Sequence, residues 1–573
     1  MDFRSESNLD RRGFLERSWN LASGLALGAI LSGLRSTSAQ ATVLPNPDPR
    51  AIVETTSGRI RGAIADGIHV FRGVPYGSPT NGAARFLPPR RVAPWPGIRD
   101  TVRYGAICAQ ERVPLGRILP GGRAARETSD LIPVWSSPQS EDCLNLNVWT
   151  PAVNRGGRRP VMVWLHPGGF EFASANIAFN EGTNLARRGD VVVVAINHRL
   201  GVFGYLHLGE LVGAEYAHAG NVGMLDIVLA LGWVRDNIVA FGGDPGCVMI
   251  HGESGGGRKV SAVLAMPDAR GLFHRAAIQS GPGLRFPANS IQTRRARYVL
   301  EALGMSRPDL PELQRIPAPQ LVAAGMTASG RIRRELAPSV PFYETYGFAP
   351  VLGPDLPNWP FDPSAPSVSA GVPLLIGTNR HEMSLAFTQD PAYDVVNEAQ
   401  LMEQAHLRVG DRARELVDAY RSANPTASRR VLMLLLTSDY SHRMDSILLA
   451  ERKLAQHSAP VYMYRFDWES PVLEGLILAA HTYEIPHVFD NVRLCSGMTG
   501  GGLDAVALGA RMSSAWITFA RSGDPNGVEG LPPWPRYDRV HRATMLFNDQ
   551  CAVANDPGAG ERHAWQRIGT PSA

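Results

Sequence analysis

Read along the chain, short and nearly uninterrupted apolar runs occur at 161–165, 191–196, 248–250, 276–278 and 374–376. Longer stretches between them repeat apolar and polar positions at helical spacing. An apolar run with no polar face reads as a strand covered on both sides, as in the middle of a mostly parallel sheet. Residues 222–239 carry the helical spacing, and 259–266 read as a helix that Pro267 stops. From Ile52 to about Asp549 strand and helix signals alternate with neither a repeat nor a low-complexity linker. The pattern predicts an α/β fold: one mostly parallel central sheet with helices on both faces. Residues 290–365 and 395–460 have few strand signals and several helical patterns, so they read as insertions. They are expected to cover the site, which in such sheets lies at the carboxyl ends of the strands.

Composition narrows the chemistry. At 573 residues, with 44% hydrophobic and 19% charged residues, the chain has a globular balance that excludes fibres and extended disorder. Fifty-seven basic residues against 53 acidic ones leave a net charge of +4 with no long basic block, so nucleic acid is not an expected partner. Lys259 and Lys453 are the only lysines, and neither lies three residues after a Ser, so a Ser-x-x-Lys nucleophile is excluded. Cys108, Cys143, Cys247, Cys495 and Cys551 have no Cys-x-x-Cys spacing. His381-Glu382 begins like a helical zinc motif, but position 385 is Leu where the second His would stand. No metal or cofactor is expected.

The amino terminus reads as an address. Asp10-Arg11-Arg12-Gly13-Phe14-Leu15 precedes a weakly apolar stretch at 21–34, which ends in Ser36-Thr37-Ser38-Ala39-Gln40-Ala41. Charged region, apolar region and small-residue cleavage site occur in the order of a twin-arginine export signal. The apolar stretch is shorter than the roughly 20 residues a spanning helix needs. The expectation is a signal at 1–41, a single mature domain at 42–573 without stable membrane insertion, and a periplasmic or secreted bacterial protein.

The sharpest chemical signal is Cys247-Val248-Met249-Ile250-His251-Gly252-Glu253-Ser254-Gly255-Gly256, a strand running through Gly-x-Ser-x-Gly into a helix. An abrupt strand-to-helix turn holds its apex residue in a strained conformation, and only small residues two positions either side avoid collision. Ser254 is therefore the candidate nucleophile. Its attack on a carbonyl creates a tetrahedral oxyanion that needs preorganised donors. After the run at 161–165 comes His166-Pro167-Gly168-Gly169-Phe170. The amides of Gly168 and Gly169, with that of Gly255 at a helix start, would form a three-donor oxyanion hole, whereas Pro167 has no amide to offer.

These motifs, together with further segments, resemble the type-B carboxylesterase family of the α/β-hydrolase fold, which includes bacterial para-nitrobenzyl esterases and the cholinesterases. The segments are Phe71-Arg72-Gly73-Val74-Pro75-Tyr76, Ser140-Glu141-Asp142-Cys143-Leu144-Asn145, Asn197-His198-Arg199-Leu200-Gly201, Asp226, Gln279-Ser280-Gly281 and Phe519-Ala520-Arg521-Ser522-Gly523-Asp524-Pro525. The likeness covers roughly residues 50 to 550. It implies that Glu382, in Gly377-Thr378-Asn379-Arg380-His381-Glu382, is the acid of the triad. It implies likewise that His481, in Ala480-His481-Thr482-Tyr483-Glu484, is the base. Spacing alone leaves His481 and His487 open as bases, and Glu382, Asp390 and Glu403 as acids. The resemblance further implies a disulfide between Cys108 and Cys143; a Cys495 to Cys551 bridge is a guess. Cys247 reads as a small buried hydrophobe. Pro167, Gly255 and Met383 depart from the family's usual Gly, Ala and Gly, without removing a catalytic atom.

The implied activity is hydrolysis of a small-molecule carboxylic ester through an acyl-enzyme. Amide or carbamate hydrolysis by the same triad is the alternative, and a non-catalytic adhesion relative a weaker third. Phe170, Phe172 and Trp135 are candidate pocket residues. Oligomeric state leaves no trace in the sequence.

Overall fold

The computed structural model describes residues 46–111, 137–154, 158–336, 344, 346–387 and 393–569. The expected export signal, Trp135 and Asp390 lie outside them. Eleven strands form the central sheet: β1 (Ala63–Ala65), β2 (Ile68–Pro75), β3 (Asn145–Thr150), β4 (Arg159–Leu165), β5 (Val192–Ile196), β6 (Gly243–Glu253), β7 (Arg275–Gln279), β8 (Leu374–Asn379), β9 (Val461–Phe466), β10 (Ala543–Phe547) and β11 (Ala552–Asn555). Their order across the sheet is β11-β10-β9-β8-β7-β6-β4-β5-β3-β2-β1. From β5 to β10 every pairing is parallel. The pairings toward the two edges are antiparallel. This is the α/β-hydrolase architecture the sequence predicts.

The apolar runs are continuous because each strand feeds two cores. Val161, Val163 and Leu165 of β4, with Val192, Val194 and Ile196 of β5, join one hydrophobic cluster. Their alternate neighbours Met162, Trp164, Val193 and Ala195 join a second. Successive side chains of a strand point to opposite faces, so a strand covered on both sides has no position left for a polar residue.

Helices cover each face. The longer ones are α1 (Val222–Asn237), α2 (Gly255–Ala265), α3 (Asn289–Ala302), α4 (Ala318–Leu336), α5 (Glu398–Val409), α6 (Ala413–Ala423), α7 (Arg429–Ser438), α8 (Met444–Leu454), α9 (Leu503–Ser522) and α10 (Ala559–Ile568). Met224, Ile227, Leu231 and Val234 give α1 one apolar stripe against the first core. Leu508, Met512, Trp516 and Phe519 give α9 a stripe against the second. Such spacing lines one side of a helix. Helices α3 and α4 fill the first predicted insertion and α5 to α8 the second. Among the described residues no helix is long and apolar enough to cross a membrane.

Two expectations are corrected. Helix α2 starts at Gly255, four residues before its predicted start, because its three leading glycines are poor helix formers yet are small enough for the turn they occupy. The expected Cys108–Cys143 disulfide is not formed: both cysteines are buried free thiols. A hydrogen bond with the Cys108 thiol, with burial, pushes the Cys143 thiol well up, and Cys108 Sγ accepts the Leu200 amide at 3.2 Å. Cys495 and Cys551 are free thiols as well.

One ion pair ties the loop after β5 to α1. Arg199 and Asp226 are 1% and 0% exposed. Arg199 Nε and Nη2 donate to the two Asp226 oxygens at 2.9 and 2.7 Å, and the Arg199 amide adds a third bond at 2.9 Å. Removing one member of a buried pair leaves the other charge uncompensated, which typically costs about 3–5 kcal/mol. Asp226→Asn should therefore lower the unfolding free energy by about that amount in a denaturant titration; a loss below about 1 kcal/mol would contradict this reading of the pair.

Candidate active site

At the carboxyl end of β6 the chain reverses into α2, and Ser254 sits at the turn with φ 55° and ψ −119°. Holding a non-glycine residue there costs about 1–3 kcal/mol. The Ser254 amide donates to the Gln279 carbonyl at 2.8 Å, which pins the turn to the end of β7. A Cβ on Gly256 would lie 2.0 Å from the Leu165 carbonyl oxygen, and one on Gly252 would lie 2.5 Å from the Gly256 carbonyl carbon. Both positions are closed to any larger residue, as the elbow requires.

The glycine loop after β4 meets the elbow directly. Gly168 and Gly169 adopt φ 93° and 61°, in the left-handed region that favours glycine. A Cβ on Gly255 would come within 2.2 Å of the Gly169 amide nitrogen, so the three candidate oxyanion positions are brought together. Lys259, one turn into α2 and fully buried, donates its ammonium to the His166 carbonyl at 2.9 Å and ties α2 to the start of this loop. Burial pushes its pKa well below the ordinary lysine value.

Glu382 follows β8. Its Oε1 accepts the Asn379 amide at 2.8 Å, and its Oε2 lies 2.6 Å from His481 Nδ1. Burial pushes the Glu382 carboxyl up. The neighbouring His442 and His481, with the hydrogen bond from His481, outweigh burial and leave it below its ordinary value. On the far side of the ring, His481 Nε2 is 3.3 Å from Glu253 Oε1, the residue immediately before the serine. The imidazole thus spans from the acid to the elbow. Ser254 itself has no hydrogen bond to His481 in this structure; such bonds often tighten only when substrate binds.

The alternatives among the described residues stand in other surroundings. His487 packs between Phe466 and Trp468, with ring centroids 5.2 and 5.0 Å away, and its Nδ1 meets the Tyr483 carbonyl. Glu403 is exposed on α5. Cys247 is only half buried, at the start of the elbow strand, with its thiol toward the Ala520 carbonyl. Phe170 is buried against Tyr205 and Phe286, with centroids 5.1 and 5.4 Å away, while Phe172 is partly exposed.

Sequence reasoning missed several groups here. Glu253 is fully buried, and burial, reinforced by Glu484 and Glu382, pushes its carboxyl well up. Glu484 is raised to about 7 by burial and by Glu382, and accepts from Asn379 Nδ2 at 2.7 Å. Both lie inside motifs already singled out, so burial of the motif was the available signal. His442 had none. It projects from a π-helical turn, Asp439–Arg443, with its ring centroid 4.9 Å from that of His481, and burial holds its pKa down to about 3. Glu382, His442 and His481 are the one group among the described residues with metal-ligating atoms close together, all within 4.8 Å. Glu382 and His481 already satisfy each other through their 2.6 Å bond.

Residues 49–565 match the carboxylesterase family. The chain belongs to that family. It is 34% identical over 520 residues to the para-nitrobenzyl esterase of Bacillus subtilis (strain 168), covering 89% of this chain and 97% of the relative. It is 32% identical to the phenmedipham hydrolase of Pseudarthrobacter oxydans, over 88% of this chain and 97% of that one. Among solved structures, the Geobacillus stearothermophilus carboxylesterase EST55 superposes with a TM-score of 0.76 at 36% identity, covering 90% of this chain and all of the other. The carboxylesterase assignment makes this chain a carboxylic ester hydrolase.

The contact at Gly255 yields a test. Alanine at 255 must displace the Gly169 backbone, so Gly255→Ala should lower kcat for a short-chain nitrophenyl ester by roughly tenfold or more while circular dichroism stays unchanged, since one oxyanion donor is worth roughly 100-fold to 1,000-fold. An unchanged kcat would mean that the loop does not work against this residue.

Proposed function

We propose that esters are cleaved here by Ser254 as nucleophile, His481 as general base and acid, and Glu382 as the group that orients His481. The observation that carries the reading is the 2.6 Å bond from His481 to Glu382 on a ring whose other nitrogen reaches the residue next to Ser254. His481 accepts the hydroxyl proton as the Ser254 oxygen attacks the ester carbonyl, and Glu382 stabilises the imidazolium. The amides of Gly168, Gly169 and Gly255 receive the oxyanion. The tetrahedral intermediate collapses, the alcohol leaves with the proton from His481, and water then cleaves the acyl-enzyme by the same route. Every step uses groups of the chain and water alone.

Ser254→Ala should reduce hydrolysis of 4-nitrophenyl butyrate by roughly a million-fold, the scale of loss when a triad nucleophile is removed. Substantial residual turnover would assign the nucleophile elsewhere.

We also infer that residues 42–573 are the mature one-domain hydrolase and that a bacterial host exports it. Support comes from the Arg11-Arg12 pair, the short apolar stretch and the Ala39-Gln40-Ala41 site. Amino-terminal sequencing of protein recovered outside the cytoplasm should begin at or near Thr42, and replacing both arginines with lysine should retain the chain inside. Export of the lysine pair at an unchanged level would remove the twin-arginine reading.

A further inference from the structure

Arg258 stands four residues after Ser254, on the same side of α2, and its amide donates to the Ser254 carbonyl at 3.1 Å. It is 5% exposed. Three other buried arginines are matched: Arg85 with Glu141, Arg199 with Asp226, and Arg562 with Asp556. Arg295 directs its guanidinium to the Gly347 and Tyr346 carbonyls and to Gln292. Arg258 has no carboxylate within ion-pair distance among the described residues. Its Nη2 donates to the Tyr346 hydroxyl at 2.7 Å, its guanidinium lies 4.1 Å from the centre of the same ring, and its Nε is buried without an acceptor.

Arg258 is near enough to pull the Glu253 carboxyl down and to depress His442, and both neighbour His481: Glu253 Oε1 lies 3.3 Å from its Nε2, and the His442 ring centroid 4.9 Å from its own. The neighbouring Lys259 donates to the His166 carbonyl, and Arg258 is the other cation in the first turn of α2 after the serine. A guanidinium offers five N–H groups in a fork that fits a carboxylate. Burying such a charge without a counter-ion is costly, so a partner that arrives with the substrate gains the whole of the unmet interaction.

We propose that Arg258 receives an ionised carboxylate of the substrate, so that the preferred esters carry a second, negatively charged group. One helical turn, about 5.4 Å, separates Arg258 from Ser254 along α2, which suits a carboxylate several bonds from the scissile carbonyl. The charge sits on either the acid arm, as in a monoester of a dicarboxylic acid, or the alcohol arm. The proposal rests on Ser254 being the nucleophile of an ester hydrolase.

Two matched pairs of esters test it. Mono-4-nitrophenyl adipate against 4-nitrophenyl heptanoate varies the acid arm, and 4-carboxyphenyl heptanoate against phenyl heptanoate varies the alcohol arm. In one pair the natural chain should favour the charged member in kcat/KM by roughly tenfold to a hundredfold, the range for a charge-assisted hydrogen bond. Arg258→Met should bring that ratio to about one, and Arg258→Lys, which keeps charge but loses the fork, to an intermediate value. A ratio at or below one in both pairs for the natural chain, or a ratio the Met variant leaves unchanged, overturns the assignment. If the Met variant does not fold, the Lys variant and the natural chain's own ratios decide. Calorimetric titration of adipate into the Ser254→Ala protein reads the carboxylate site without chemistry. Binding there, lost on adding Arg258→Met, upholds the carboxylate receptor even where turnover fails, whereas absence of both binding and charge preference rejects it. Failure of the folded natural chain to cleave any of the four esters would instead bring down the ester reading itself.

Discussion

The structure turns on one steric contact, the packing of a glycine-rich turn against the end of β4. Gly252, Gly255 and Gly256 bring the first turn of α2 so close to Leu165 and Gly169 that no Cβ fits at any of the three. That closeness forces Ser254 into its left-handed conformation, and it also presses the glycine loop against the amide that follows the serine. Candidate nucleophile and candidate oxyanion donors are therefore consequences of the same contact. Helix α2 accepts three residues of poor helical propensity for it, and the stability comes from the packing of Val260, Val263 and Leu264 into the core beneath.

Around this contact the protein concentrates ionisable groups where water is scarce. Three glutamates, 253, 382 and 484, and two histidines, 442 and 481, are all buried within one region. Burial separates their behaviour. Glu382, held by an amide and an imidazole, stays charged, whereas Glu484 and Glu253 are driven toward the neutral acid. His442, held neutral, adds no cation beside His481. Of the three carboxylates, the one bonded to His481 is therefore the one whose charged form is favoured.

Much of this was legible in the residues. The sheet could be read because strands feeding two cores cannot hide a polar position, and the elbow because its glycines answer a steric demand. The candidate acid and base could not be chosen by spacing: His481 and Glu382 stand 99 residues apart in sequence, and only the likeness to a family distinguished His481 from His487. The geometry that separates them is tertiary, since His487 is wedged between aromatic rings. His442 enters through a π-turn that no pattern marked. Arg258 was readable as a residue but not as an unmatched charge, because that depends on which carboxylates the folded chain leaves out of reach. The disulfide carried over from the likeness failed for a different reason: two neighbouring thiols are necessary for a bridge and not sufficient.

The distribution of the site along the chain has a kinetic corollary. Glycine loop, serine, acid and base follow β4, β6, β8 and β9, four strands of the parallel block whose pairings all need crossovers through helices. Long-range parallel pairing is slow to form because loop closure must precede its reward. A sheet assembled only through β4 and β6 thus holds the serine turn and the glycine loop alone, and Glu382 and His481 join them only when β8 and β9 dock.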